Sequence, residues 1–281
     1  ECFSNSILRK AAKTISKYKM IKNDELVVIG VSGGKDSLVL LSILKKMSET
    51  HNFRIIAVTI DEGIPGYRDE ALEIVKSFCS KLDVEFRTYS YKELYDVTLS
   101  ESLELRDEEK TTSCSICGIF RRRALDHAAE ELGANVIATG HNLDDSLQTF
   151  LINTLSGDSN KIGWMSPGSD SKQIRKIKPL AEIYESEIVF YAFTNNLPFQ
   201  TEPCPHMNEG IRTEIREFLN SIEDQHSGIK NNMYRSIIKI SEVMKDSSFK
   251  EKRICTNCGN QCTGKICAVC NMITDLKKER S

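Results

Sequence analysis

Residues 26–41 read LVVIGVSGGKDSLVLL, an apolar run interrupted by Ser-Gly-Gly-Lys-Asp-Ser and then resumed. The first half is rich in Val and Ile and almost without a break, which suits a strand buried on both faces. After Asp36 the spacing SLVLLSILKKM turns helical. Asp36 and Ser37 stand where a helix start favours a cap and negative charge. A strand, a tight loop and a helix start therefore follow one another within a few residues. Glycine lets backbone approach an anion closely, and the N–H groups that open a helix favour phosphate. Lys35 adds a full positive charge. The loop is not the nucleoside-triphosphate loop of Gly, four variable residues and Gly-Lys-Ser/Thr, because only Ser32 and Gly33 separate Val31 from the second glycine.

Alternation continues downstream. Apolar runs at FRIIAVTI, VEFRTYS and ANVIATG alternate with helical stretches at DEALEIVKSFCSKL, CGIFRRRALDHAAEEL and NLDDSLQTFLINTL. This predicts an α/β fold with a parallel sheet covered by helices on both faces. Ligands of such sheets bind beyond the carboxyl ends of the strands. Three motifs fall there: SGGKDS, Asp61-Glu62-Gly63, and Gly140-His141-Asn142-Leu143-Asp144-Asp145. The Ser-, Gly- and Asp-rich stretch 158–171 reads as a mobile loop. Two helical segments are expected at about Ile211 to Ile222 and Asn231 to Met244.

With 281 residues the chain can bury a sizeable core in one or two domains. Lys and Arg number 38 against 40 Asp and Glu, a net charge of -2, so no bulk basic field is present to hold nucleic acid. Local candidates are Arg121-Arg122-Arg123, Lys172 to Lys178 and Lys250 to Arg253, each of which reads more simply as a solvated face or strand edge. No apolar run approaches the roughly 18 residues of a membrane span. The opening ECFSNSILRK has neither a signal-peptide core nor an initiator Met, so the chain is expected to be soluble and a fragment or processed form.

The ten cysteines are mostly grouped as C-x-x-C pairs, which favours metal or redox chemistry in a reducing compartment. In the tail, Cys255 with Cys258 and Cys267 with Cys270 flank a short Gly-bearing turn and predict a tetrahedral zinc site. Cys262 is then a bystander. Cys79, on the apolar face of its helix, reads as a buried free thiol. Cys114 and Cys117 stand just before a helix, and Cys204 follows in EPCPH. Three thiols are too few for structural zinc. They suit an iron–sulfur cluster with one open iron; a zinc knuckle or redox dithiol at Cys114 and Cys117, with Cys204 merely buried, is the simpler alternative.

The loop spacing resembles the PP-loop of the N-type ATP pyrophosphatases. SGGKDS, CSICG followed by RRR, GHNLDD, IKPL and a CP before the helical region occur in the order found in tRNA 2-thiolation enzymes. The chain thus resembles the group containing TtuA and NcsA, and more distantly TtcA, which lacks the terminal zinc knuckles. The resemblance implies the PP-loop fold and a cytoplasmic, ATP-dependent tRNA-uridine 2-sulfurtransferase with no membrane association, acting as a homodimer. It implies ATP with Mg²⁺ held by Ser32, Gly33, Gly34, Lys35, Asp36, Ser37, Asp61, Gly140 and His141. It implies a 4Fe-4S cluster on Cys114, Cys117 and Cys204, with Asp145, Lys35 and Arg121 in catalytic roles. Zn²⁺ falls on the four tail cysteines. The expected segments are 1–20, a helical remnant of a truncated zinc module of which Cys2 is the last ligand; 21–205, the catalytic domain; 206–250, a helical extension; and 251–281, the zinc ribbon.

Two positions depart from that group. Arg121 stands where some relatives carry Lys, which disfavours proton transfer and favours an electrostatic role. Lys178-Pro179-Leu180 replaces Arg-Pro-Leu. The chemistry follows from the leaving group: a uridine C2 oxygen departs poorly until AMP is transferred to it, after which sulfur delivered through the cluster can displace it. Lys35, loop N–H groups and Mg²⁺ would stabilise the leaving pyrophosphate, with Asp145 or Asp144 holding that Mg²⁺ or orienting the base. Uridine 34 is preferred over uridine 54 or cytidine 32. The sulfur donor is left open between sulfide and a ubiquitin-like thiocarboxylate protein. A PP-loop amidating enzyme gives the three thiols no role, and a non-catalytic zinc-ribbon RNA-binding protein gives SGGKDS none.

Overall fold

The structure is a computed structural model that describes residues 2–107, 111–168, 174–206, 211–244 and 253–278. In chain order the elements are α1 (Cys2–Lys17), β1 (Glu25–Gly30), α2 (Lys35–Ser48), β2 (Phe53–Asp61), α3 (Tyr67–Leu82) and β3 (Phe86–Ser90). Two short helices, α4 (Tyr91–Tyr95) and α5 (Leu99–Glu104), precede α6 (Ser113–Glu131), β4 (Val136–Thr139) and α7 (Leu143–Leu155). A 3₁₀ turn at Ser159–Trp164 leads to β5 (Arg175–Ile177), α8 (Glu185–Thr194), α9 (Arg212–Gln225) and α10 (Ile229–Met244). The tail holds β6 (Arg253–Ile254), β7 (Gln261–Cys262) and α11 (Ala268–Lys278).

The five main strands run in the order β3-β2-β1-β4-β5, all parallel, so β1 lies between β2 and β4. Val27 and Ile29 of β1 enter one core with α1, α2, α3 and α8, while Leu26 and Val28 enter a second core with α6. That is why the opening apolar run has no polar alternation. A third cluster joins Leu143 and Leu147 of α7 to Ile215 and Leu219 of α9 and Tyr234 and Ile237 of α10. The ribbon belongs to the second core: Cys255, Cys267, Val269, Cys270 and Leu276 are buried with Phe120, Ala124 and Ala128 of α6.

Three local expectations change. Thr112 caps α6 by accepting from Ser115 N, so the helix starts at Ser113 and Cys114 and Cys117 lie inside its first turns rather than ahead of it. The stretch from Asp158 is no plain loop in its described part: it winds into the 3₁₀ turn, with Ile162 and Met165 buried. Residues 169–171 of it lie outside the described residues. Of the basic segment from Lys172, residues 172 and 173 also lie outside them, Arg175 pairs with Glu25, and Lys176 lies 2.6 Å from Asp126. Residues 250–252 likewise lie outside the described residues.

Candidate active site

The reversal of strand order falls between β1 and β4, and SGGKDS and GHNLDD leave the carboxyl ends of those two strands. This is the crevice where doubly wound sheets take ligands. Gly33 has φ +90°, and a Cβ there would lie 2.9 Å from the Ala71 Cβ. Gly34 caps α2 without a side-chain hydrogen bond, so no cap side chain covers the positive end of the helix. Ser37 closes the loop on itself: its Oγ accepts from Ser32 N at 3.1 Å and donates to Gly34 O at 2.8 Å. Opposite, a Cβ on Gly140 would lie 2.9 Å from both the Asp36 C and the Ser37 N. Gly140→Ala is therefore expected to destabilise the fold by about 1–3 kcal/mol, the usual cost of overpacking, and to weaken ATP binding. Urea midpoints and calorimetric titration check this, and unchanged values would show that the two loops separate freely.

Charges crowd the same crevice. Lys35 Nζ lies 2.8 Å from Glu185 Oε1 and 3.1 Å from Asp36 Oδ2, while Asn142 donates to Asp36 Oδ1 at 2.9 Å. Burial pushes the Asp36 carboxyl up despite Lys35. Burial also pushes Asp145 up, against the backbone hydrogen bond it accepts from Asn142. Asp145 is the capping partner of α7: its Oδ2 accepts from Asn142 N at 3.1 Å, and its own N–H donates to Asn142 Oδ1 at 2.9 Å. Asp144, the alternative Mg²⁺ ligand, is buried and already committed to Lys230 Nζ and to Glu185 N. Asp61 accepts from Gly63 N at 2.8 Å and shapes its turn. The His141 ring opens to the crevice and sits 2.9 Å from Thr139 Oγ1; loss of bulk water and the cations Lys178, Arg212 and Arg121 favour its neutral form.

The segment carrying Cys204 comes against the start of α6 beside this crevice. Cys114 is exposed, and its Sγ lies 4.0 Å from His206 O, which brings the Cys204 segment against the first turn of α6. Cys117 and Cys204 are half-buried and close enough to feel one another's charge. Gln200 N donates to Gly33 O at 3.0 Å and its Nε2 to Tyr67 O at 2.7 Å, so the strand-like approach to Cys204 is tied to the glycine loop itself. Arg121 Nη2 donates to Cys117 Sγ at 3.1 Å and lies 2.8 Å from Glu62 Oε1. Burial holds the Cys117 thiol above its ordinary value although Arg121 pulls it down.

Donor chemistry separates the two cysteine sets. Among the described residues, only Cys255, Cys258, Cys267 and Cys270 form a group whose ligand atoms all lie within 4.8 Å of one another. That set fits one tetrahedral ion, with Cys267 N donating to Cys255 Sγ at 3.2 Å and Cys270 N to Cys267 Sγ at 3.4 Å. Cys262 stands apart, directed at Gly264 O. Cys114, Cys117 and Cys204 do not form so tight a group. Three soft donors not drawn together around one ion, one of them backed by a guanidinium, fit a polynuclear iron–sulfur group better than a single ion. Cys79 is buried at 1 % exposure, as its helix face implied.

Several partners are invisible to sequence reading: Glu185, Arg68 and Lys230, together with the ion-pairing role of Glu62. Each looks like a surface charge in the chain, and all but the Arg68–Glu62 pair are recruited across a long separation. The one available signal is that Glu62 follows a strand end directly.

A model of the PP-loop domain family matches residues 4–223. The tRNA 2-thiolation protein NcsA of Haloferax volcanii is 32% identical over 295 residues, covering 98% of this chain and 92% of that protein. The cytoplasmic tRNA 2-thiolation protein 1 of Drosophila melanogaster is 35% identical over 286 residues, covering 99% and 82%. Among solved structures, the U34-tRNA thiolase NcsA from Methanococcus maripaludis with its 4Fe-4S cluster superposes with a TM-score of 0.84 at 30% identity, covering 98% of this chain and 89% of that one.

Proposed function

The chain belongs to the PP-loop domain family and, within it, to the tRNA 2-thiolation proteins, which are sulfurtransferases, and from that premise we propose that it adenylates the C2 oxygen of tRNA uridine 34 and replaces it with sulfur. The observation that carries this reading is the tie between Gln200 and Gly33: the segment bearing Cys204 is hydrogen-bonded to the glycine loop, so a nucleotide and a thiol-ligated group would share one uridine. Holding the base against both is a task of position, which converts two encounters into one bound geometry.

The α2 N-terminus and the backbone of Gly33 and Gly34 bind the ATP phosphates, and Gly140 keeps the opposite wall close enough to complete the cradle. Lys35 opposes the charge that grows on pyrophosphate as AMP transfers to the uridine oxygen. Asp36 and Asp145, both facing the crevice, would hold Mg²⁺, which would neutralise phosphate oxygens. Cys114, Cys117 and Cys204 would hold a 4Fe-4S cluster, whose open iron supplies a site for sulfur. Arg121 stays protonated at neutral pH and serves as a fixed cation beside that site. His141, neutral, lines the nucleotide side. Cys255, Cys258, Cys267 and Cys270 would hold Zn²⁺, which would stiffen the ribbon packed against α6. Relatives named as cytoplasmic proteins support a cytoplasmic location, and no helix among the described residues is long and apolar enough to cross a membrane.

Protein purified without oxygen and supplied with ATP, Mg²⁺, sulfide and unmodified tRNA is expected to form 2-thiouridine at position 34, with AMP released one for one. Nucleoside mass spectrometry of mapped fragments reads the position. Thiolation at position 54 or 32 would replace the target, and AMP release without thiolation would overturn the sulfur-transfer reading.

A further inference from the structure

Glu62 is 2 % exposed, and both of its carboxylate oxygens face arginine. Oε1 lies 2.8 Å from Arg121 Nη2, and Oε2 lies 2.7 Å from Arg68 Nε, a charge contact that falls off the N–H axis. Arg68 is itself 4 % exposed and both of its terminal nitrogens are engaged: its Nη1 donates to Ser32 O at 2.8 Å and its Nη2 to Ile60 O at 2.9 Å. Arg121 is different. Its side chain is 47% exposed, and the nitrogen that meets Glu62 is the one that donates to Cys117 Sγ. A continuous line of contacts therefore runs from the carbonyl of Ser32 in the glycine loop through Arg68, Glu62 and Arg121 to the sulfur of Cys117.

A half-exposed arginine has many rotamers, and water competes for its charge. A buried carboxylate at 2.8 Å removes that freedom. We infer that Glu62 is a positioning residue that holds the Arg121 guanidinium against the sulfur of Cys117 while anchoring, through Arg68, the phosphate loop on the other side. The inference rests on the cluster reading given above. A cation hydrogen-bonded to a thiolate ligand of an iron–sulfur group stabilises its more negative, reduced form and so raises the reduction potential. Glu62 sets that interaction without touching the cluster or the substrate.

The test is a double-mutant cycle in the full chain reconstituted anaerobically with iron and sulfide, using Glu62→Asp, Arg121→Gln and the pair. Aspartate keeps the negative charge and shortens the reach, so its effect reads the position of Arg121 and not the loss of an anion. Each single variant is expected to shift the midpoint potential, followed by electron paramagnetic resonance, to more negative values. The shift of the pair should be smaller than the sum of the singles. An unshifted Glu62→Asp, or a pair whose shift equals the sum of the singles, overturns the proposal. If Glu62→Asp does not load iron, the measurement on iron-free protein decides alone. A second readout needs no cluster. In iron-free protein the Arg121 guanidinium N–H resonance is expected to be protected from exchange, and to lose that protection in Glu62→Gln or, in part, in Glu62→Asp. Protection that survives either substitution shows Arg121 held by something else and overturns the proposal. Failure of the unsubstituted protein to take up iron would count against the cluster reading alone, and the resonance measurement would still decide the role of Glu62.

Discussion

Alanine at Cys117 yields, on this structure, a folded but colourless protein that transfers no sulfur to tRNA. The same outcome is expected for Cys114→Ala and Cys204→Ala, because removing one of three thiolate donors leaves a cluster with two ligands and a second iron exposed. None of the three losses should unfold the chain, since Cys114 is exposed and Cys204 and Cys117 only half-buried. Two controls separate ligand loss from packing. Cys79→Ala empties a buried site and should cost about 1 kcal/mol with iron and activity retained. Cys262→Ala, beside but outside the zinc set, should change neither. Iron by colorimetric assay, thiolation by mass spectrometry and melting by circular dichroism are read on the same samples. Full activity in Cys204→Ala would sink the three-thiol assignment.

Lys35→Ala is expected to lower turnover by about 10² to 10³-fold, the effect of deleting one electrostatic stabiliser from an active site, with iron content unchanged. The structure sharpens the reason. Lys35 separates Asp36 from Glu185, at 3.1 and 2.8 Å, so its loss removes a cation and leaves two uncompensated carboxylates facing the incoming phosphates. Both ATP affinity and the adenylation step should fall, the second more than the first, because charge on pyrophosphate grows as it departs. AMP release and thiolation, measured at saturating ATP, check this. A wild-type rate under those conditions would reduce the glycine loop to a turn.

The chain announces the parts of this molecule that depend on neighbours in sequence. The apolar run before Ser32 forecasts a central strand because both of its faces are covered, and the tail knuckles forecast an ion site because their donors lie on two short turns. The short strand Arg175–Ile177 carries no such signal: two of its three residues are basic, and it is held at the sheet edge by Glu25 and Asp126 from elsewhere. The start of α6 hides for a different reason, since the Thr112 cap admits a polar first turn that propensity alone would leave outside the helix. Most of the electrostatic site was illegible on the same ground. Lys35 meets Glu185 across 150 residues and Lys230 meets Asp144 across 86, and no local pattern marks either charge as buried.

The placement of β1 between β2 and β4 also sets a timetable for the newborn chain. Leu26 N is bonded to the Asn135 side chain, 109 residues further on, so the strand that carries the glycine loop waits for more than a third of the polypeptide before its second flank arrives. Local hairpins cannot shield it in the meantime, and contacts of such long range close slowly. During synthesis that strand is the segment with the greatest need of a chaperone. The crevice itself cannot form early, because Gly140 and Asn142 close it only after β4 is in place. Cys204 emerges later still and docks on a loop already formed. The topology therefore sets an order: sheet first, the crevice at its carboxyl ends second, and the segment carrying Cys204 last.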